Sequence, residues 1–331
     1  MSKKIRWGIL STAKIGRTQV IPAIQQCQYA EVTGIASGDK SKARQTAADL
    51  GIPKVYNDYQ ELLSATDIDA VYIPLPNHLH VDYTLQALAA GKHVLCEKPI
   101  GLNAADAQRL IDGAAQYPHL KLMEAFMYRF HPQWEKAKEI INAGLLGEVK
   151  HVQSIFSYSN MDGNNIRNRV DTGGGALMDI GCYCVSFPRY VFNAEPVRVM
   201  GLVHLDPEFK TDSLTSGLLD FGNGHTATLT CSTQLEPYQR INIIGSKGRL
   251  EIELPCNAHN DKPNRMFLQR DRVIEEIEIP VANQYALQVD AFSKAILDDA
   301  PVPTPLSDAL GNMRVIDALF ESGEMGEWVR L

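Results

Sequence analysis

Lys98, Asp179 and Tyr183 have the side-chain types and spacing needed to move a proton to or from a hydroxyl group. A free phenol, with a pKa of roughly 10, is a poor base near neutral pH. A neighbouring ammonium favours the phenolate and lowers that pKa, so a tyrosine–lysine pair is a workable proton-transfer unit. Such a unit suits hydride transfer at a carbinol carbon, where the hydroxyl proton must move as the hydride does. Asp179 and Tyr183 stand four positions apart in a helical stretch and so share one face, with Gly181 between them removing bulk. This makes Tyr183 the general acid/base, Lys98 the group that polarises the substrate oxygen, and Asp179 an acceptor for a substrate hydroxyl. Each has a plainer use as well: a solvated charge for Lys98, a packing anchor for Tyr183, and for Asp179 an ion pair with Arg167 or Arg169.

A second set of residues points to a nucleotide. The run Ser11-Thr12-Ala13-Lys14-Ile15-Gly16 leads from a strand into a helix where a dinucleotide fold carries its glycine fingerprint, and only the third glycine, Gly16, is present. Alanine is the next smallest residue at the position where backbone approaches the pyrophosphate, and helix-terminal N–H groups face phosphates whatever the side chain. The second strand closes in Ser37-Gly38, with Asp39 beyond the turn and Lys40, Lys42 and Arg44 following. A neutral strand tip beside cations suits a 2′-phosphate better than the carboxylate–ribose contact that marks NAD, so the expectation is NADP, with NAD the alternative.

Strands must deliver these residues. Ile5–Leu10, Glu31–Ser37, Ala70–Ile73, His93–Glu97 and Lys121–Ala125 read as strands, alternating with helical patterns at Ile15–Cys27, Lys42–Leu50, His80–Ala90 and Ala104–Ala115. This alternation predicts a doubly wound parallel sheet over residues 1–126, with Lys98 just past a strand's carboxyl end, where open α/β sheets place ligands. From about residue 147 the pattern becomes a run of strands joined by turns such as Gly222-Asn223-Gly224, predicting a large, mostly antiparallel open-faced sheet in a second domain over 127–331. Helical stretches cover Ala176–Val191, Gln284–Leu297 and Leu306–Ser322, and the helix over 306–322 is expected to pack back on the first domain.

Composition narrows the partners. The 331 residues carry 32 basic and 39 acidic side chains, for a formal charge of −7, and no basic stretch, which argues against nucleic acid. No apolar run is long enough for a bilayer, and the start lacks the apolar core of a secretory signal. The six cysteines are scattered and unlike a disulfide framework, so reduced thiols in a cytoplasmic protein are expected. His78 and His80 alternate in a turn and diverge, and no metal is expected.

His93-Val94-Leu95-Cys96-Glu97-Lys98-Pro99, with Pro76-Asn77-His78-Leu79-His80 before it, resembles the Gfo/Idh/MocA family of sugar and polyol oxidoreductases. Met123–Pro132 and Gly173–Tyr183 match two further signatures of that family in order. The family's common Asp-x-Gly-x-His ends here in Tyr183, as in the branch of dihydrodiol dehydrogenases and NADP-dependent xylose dehydrogenases. The resemblance implies a Rossmann domain, a sugar, polyol or cyclic diol substrate, and a homodimer or homotetramer assembled through the C-terminal sheet. Cofactor contacts are then expected from Ser11, Thr12, Ala13, Lys14, Ile15, Gly16, Ser37, Lys42, Pro76, Asn77, His80, Glu97, Lys98 and Arg167. Substrate contacts are expected from Tyr128, Arg129, His131 and Asp179. A non-catalytic regulator and a reductase of a non-carbohydrate carbonyl or tetrapyrrole are the rival readings on the same scaffold.

Overall fold

A computed structural model describes residues 3–331, and the chain divides into two compact units. The first contains residues up to 127 together with 283–310, and the second contains 128–282 together with 311–331.

In the first unit, β1 (Ile5–Leu10), β2 (Ala30–Ala36), β3 (Lys54–Val55), β4 (Ala70–Ile73), β5 (His93–Cys96) and β6 (Leu122–Glu124) form a sheet in the order β3-β2-β1-β4-β5-β6, with every pair parallel. This is the Rossmann order, in which the chain reverses direction beside β1 and leaves a crevice at the strands' carboxyl ends. All four residues of β4 are buried, as a central strand covered on both faces requires. The connecting helices are α1 (a π-helical turn over Gly16–Val20 running into Ile21–Ile24), α2 (Lys40–Leu50), α3 (Tyr59–Ser64), α4 (His80–Ala89) and α5 (Ala104–Ala114). The short β3 and α3 escape the sequence pattern because β3 is two exposed residues and α3 buries only Leu62 and Leu63. Asp39, Asp58 and Asn103 cap α2, α3 and α5 with their side-chain oxygens.

The second unit contains α6 (Pro132–Asn142), β7 (Val149–Ser159), α7 (Cys182–Phe192), β8 (Arg198–Leu205), β9 (Asp212–Gly222), β10 (His225–Ser232), β11 (Gln234–Gly245), β12 (Gly248–Ile252), β13 (Asn264–Arg270) and β14 (Val273–Ile279). With the terminal β15 (Val329–Arg330) they make a nine-stranded sheet, β14-β13-β12-β11-β7-β10-β9-β8-β15, antiparallel except where β10 lies parallel to β7.

The last two helices, α8 (Gln284–Leu297) and α9 (Leu306–Met325), correct the sequence expectation. It is α8 that belongs wholly to the first unit, whereas α9 contributes only residues up to Leu310 to it. The cause is an apolar strip on α8: fully buried Trp7 lies 5.8 Å from the Phe292 ring and donates its indole N–H to Ser293 Oγ at 3.2 Å. In the second unit α9 closes on bare backbone. Ser322 Oγ accepts from the Gly201 N–H at 2.9 Å, and a Cβ on Gly201 would stand 2.3 Å from the Leu319 carbonyl oxygen.

Candidate active site

The carboxyl ends of β1, β2, β4 and β5 gather the nucleotide-side residues. Ser11, directly after β1, has φ +132°, a conformation that favours glycine. Its hydroxyl offsets part of that strain by accepting the Ala13 N–H at 2.9 Å, and its own N–H bonds the Ala36 carbonyl at 2.8 Å. Thr12 Oγ1 lies 3.4 Å from Ser37 Oγ, linking the tips of β1 and β2. Ser11, Thr12, Ala13 and Ile15 are half-buried, Lys14 is exposed and Gly16 is buried, so the turn offers its edge outward.

Asp39 is committed elsewhere. Its carboxylate accepts from the Ser41 hydroxyl (2.6 Å), the Ser41 N–H (3.0 Å) and the Lys42 N–H (3.2 Å), which hold its pKa below the usual carboxylate value. Lys42 Nζ stands 3.6 Å from the same group. The tip of β2 therefore ends in buried Ser37, with Lys40, Lys42 and Arg44 exposed on the first turns of α2.

At β5, Glu97 continues the ladder by donating its N–H to the Ile73 carbonyl at 3.1 Å. Buried Tyr72, on β4, donates its hydroxyl to Glu97 Oε1 at 2.6 Å. Nothing in the sequence pattern distinguishes Tyr72 from an ordinary core residue of a strand. Glu97 and Lys98 are half-buried at this edge, as are Pro76 and Asn77 after β4. The ring of His80 is fully buried and lies between the carbonyls of Leu75 (2.7 Å) and Pro99 (2.8 Å).

The second unit assembles Asp179 and Tyr183 at the head of α7. A π-helical turn over Leu177–Gly181 precedes the α-helix, and such turns recur at functional sites. Asp212, at the start of β9, caps this turn by accepting from the Leu177 N–H at 2.8 Å, and Thr215 donates to it at 2.8 Å. Burial pushes the Asp212 carboxyl up to about 6. Asn312, on α9, donates to the Cys182 carbonyl at 3.1 Å.

Asp179 Oδ2 accepts from Arg167 Nε at 2.9 Å and from the Tyr158 hydroxyl at 2.6 Å. Burial, followed by the Asp179 charge, raises the Tyr158 pKa, so the phenol stays protonated and donates. The ion pair with Arg167, one of the plainer alternatives above, is therefore realised, and it gives the carboxylate a fixed direction. Tyr158 and Asp212 lie more than twenty residues from Asp179 in sequence and were not anticipated. Tyr183 is 5% exposed, its ring 6.0 Å from those of Tyr128 and Phe156.

Two of the residues expected at the substrate are buried. Tyr128 is fully buried among Trp134 and Phe187, with its hydroxyl 2.7 Å from Ser186 Oγ. His131 is fully buried, accepts the Gln133 N–H at 3.3 Å as the cap of α6, and is pushed down to about 4 by burial. Arg129 is half-buried over the Tyr190 ring and donates to Ser186 Oγ at 2.7 Å. Among the described residues no cluster of His, Cys, Asp or Glu converges as a metal site, and no helix is long and apolar enough to cross a membrane.

Family models match both parts of the chain: an oxidoreductase family with an NAD-binding Rossmann fold over residues 5–126, and the Gfo/Idh/MocA C-terminal domain over 134–251. The chain belongs to the Gfo/Idh/MocA oxidoreductase family. This Gfo/Idh/MocA oxidoreductase is 38% identical to a D-xylose 1-dehydrogenase (NADP⁺) of Haloferax volcanii over 327 residues, covering 98% of this chain and 99% of the other. It is 35% identical to a trans-1,2-dihydrobenzene-1,2-diol dehydrogenase of Xenopus tropicalis over 257 residues, 75% and 74% of the two chains. Among solved structures, a 3-ketoreductase from Actinomadura kijaniata in complex with NADP and TDP-benzene matches with a TM-score of 0.92 at 30% identity, covering 97% of this chain and 98% of that one.

Proposed function

We propose that this oxidoreductase binds NADP and catalyses the interconversion of CH–OH and C=O on a sugar, polyol or cyclic diol. The observation that carries the cofactor choice is the tip of β2, where Ser37 stands in place of an acid and Asp39 is bound into its own helix cap. Asp39 is turned into the cap of α2 and its charge is offset by Lys42, and Lys40, Lys42 and Arg44 can pair with a 2′-phosphate. The N–H groups at the head of α1 suit the pyrophosphate, and Pro76, Asn77 and Glu97 suit the nicotinamide ribose. When bound, the nicotinamide supplies or accepts the hydride.

The protein's own groups handle the proton and the charge. Tyr183 exchanges the proton of the substrate hydroxyl, while Lys98 polarises that oxygen and stabilises negative charge on it. Asp179, oriented by Arg167 and Tyr158, accepts from a second substrate hydroxyl, and Arg129 borders the substrate. Arg167, spent on Asp179, is a weaker candidate for the cofactor than the residues of the first unit. The relatives' printed activities on xylose and on a dihydrodiol support a cyclic polyhydroxy substrate.

The test is Tyr183→Phe, which keeps ring volume and removes only the hydroxyl. Turnover with NADP⁺ and a panel of pyranoses and cyclic diols should fall about 10²–10⁴-fold, with cofactor affinity little changed. Full activity in this variant would overturn the assignment. Absence of redox change in the wild-type protein with every substrate, despite NADP binding, would favour a regulator.

The working state we propose is a homodimer or homotetramer in the cytoplasm. All six cysteines are buried free thiols, which suits a reducing compartment. The outward face of the large sheet is mixed in polarity. Threonines line β10, and Arg240 pairs with Glu251 at 3.1 Å, while Leu202 (76% exposed), Leu218 and Ile274 stand toward its edges. A second copy of the same sheet would cover those apolar edges and meet the charged centre with its own. Sedimentation at micromolar concentration should show at least a dimer, and a monomer would exclude this face as the contact.

A further inference from the structure

We infer that His80 is the positioning residue of Lys98, bracing the loop that carries the lysine against the loop that carries Asn77. The inference rests on the reading of Lys98 as the group that polarises the substrate oxygen. The parallel ladder between β4 and β5 ends at the pair Ile73–Cys96. Beyond it the Glu97 N–H still reaches the Ile73 carbonyl, and then the two backbones part. The His80 ring fills the gap, with Nε2 2.7 Å from the Leu75 carbonyl and Nδ1 2.8 Å from that of Pro99. One side chain thus continues by its ring what the backbone can no longer do by its ladder.

His80 is 0% exposed, so its ring is packed on every side by protein. Burial, with a further contribution from the Lys98 charge, pushes it down to about 4 and keeps it neutral near pH 7. A neutral imidazole has one N–H and donates to only one of the two carbonyls, so both carbonyls favour the protonated ring against the effect of burial. On the other side of Lys98, the Tyr72 hydroxyl holds Glu97 at 2.6 Å. Lys98 therefore sits between two anchored neighbours, Glu97 and Pro99. That matters because an ammonium on a flexible four-carbon stem is aimed by its backbone, and a displacement of about 1 Å can cost about 10²-fold in rate.

The experiment compares His80→Leu, His80→Gln and Lys98→Met in the full-length protein. Turnover is measured at saturating NADP⁺ with a substrate found in the panel above. Separately, reductive methylation with ¹³C-formaldehyde labels the lysines, and the Lys98 resonance is identified by its absence from Lys98→Met. Its titration reports the surroundings of the lysine without any turnover. His80→Leu should lower kcat by about 10–10²-fold with substrate KM little changed, and should displace the Lys98 titration. His80→Gln, whose amide can still donate to one carbonyl, should recover part of both.

Wild-type kcat and an unmoved Lys98 titration in His80→Leu would overturn the inference. So would a variant that only melts earlier, with kcat and titration intact in the folded protein. Should the Leu variant not fold, His80→Phe, which keeps a ring and removes both nitrogens, carries the same two readouts. If Lys98→Met retains turnover, the reading of Lys98 as catalytic falls, while the resonance still decides whether His80 positions it.

Discussion

Two helix starts carry the proposed chemistry, α1 on the nucleotide side and α7 on the substrate side, and they are built in opposite ways. Both open on a π-helical turn, Gly16–Val20 and Leu177–Gly181. Before α1 there is little glycine. Ser11 takes a positive φ and recovers part of the cost through its hydroxyl, and a Cβ on Gly16 would meet only ordinary contacts at 3.7 and 3.8 Å. Before α7 stand three consecutive glycines, two of them wedged. A Cβ on Gly174 would lie 2.5 Å from the Arg167 carbonyl oxygen, and one on Gly175, at φ +117°, would lie 2.0 Å from Asp212 Oδ1. A nucleotide turn needs N–H groups and room, which several residues can supply. The second turn needs its backbone pressed against Arg167 and Asp212, and there glycine is a steric requirement.

The largest effect should come from Gly175→Ala. Positive φ and the collision with Asp212 together should cost about 3 kcal/mol or more, read as a fall in the midpoint of urea unfolding. An unchanged midpoint would break the contrast between the two turns. Asp212→Ala should be next, losing the cap of the π-helical turn and roughly 1–2 kcal/mol. Because Asp179 rides on that turn, substrate KM should rise while NADP(H) affinity holds.

The pH dependence of unfolding sharpens the same point. His80, His93 and His131 are pushed by burial from 6.5 down to about 4, so the folded chain binds fewer protons than the unfolded one between those values. Their contribution is fully present above about pH 6.5 and is lost as the pH falls toward 4. Asp212 works in the opposite sense: raised from 3.8 to about 6, it lowers stability as the pH rises through that window. Three groups against one should leave stability rising from pH 4 to 6.5, and Asp212→Asn, which keeps an acceptor for Leu177, should steepen the rise. A flat profile in the wild-type protein would contradict the burial of the histidines. The smallest effect belongs to Gly16→Ala, expected to stay within about 0.5 kcal/mol in unfolding and to leave NADP(H) affinity nearly unchanged. A large loss of affinity there would mean that the phosphate needs the bare backbone after all.

Apolar segments were legible in the sequence: β1, β4 and α8 begin and end where the apolar pattern does. The short β3 and α3 were not, since β3 is two exposed residues and α3 buries only Leu62 and Leu63. Lys98, Glu97 and the glycine run were recognisable because they lie in contiguous motifs. Their supports were not, because Tyr72, Tyr158, Asp212 and Asn312 come from distant segments and look like ordinary core, strand or helix residues. Three residues proposed at the site, His80, Tyr128 and His131, have surroundings that the sequence did not foretell. Their motif positions suggested contact with a ligand, and folding buried their rings.

By itself the sequence determined the succession of strands and helices along the chain, the turn chemistry and the local neighbours of each motif, because those depend on side-chain period and backbone preference within a few residues. Only the tertiary structure decided which polar groups face outward and which are consumed inside. That choice rests on hydrogen bonds between segments far apart in the chain, such as His80 with Pro99, Asp179 with Tyr158 and Asp212 with Leu177, and a linear pattern carries no record of them.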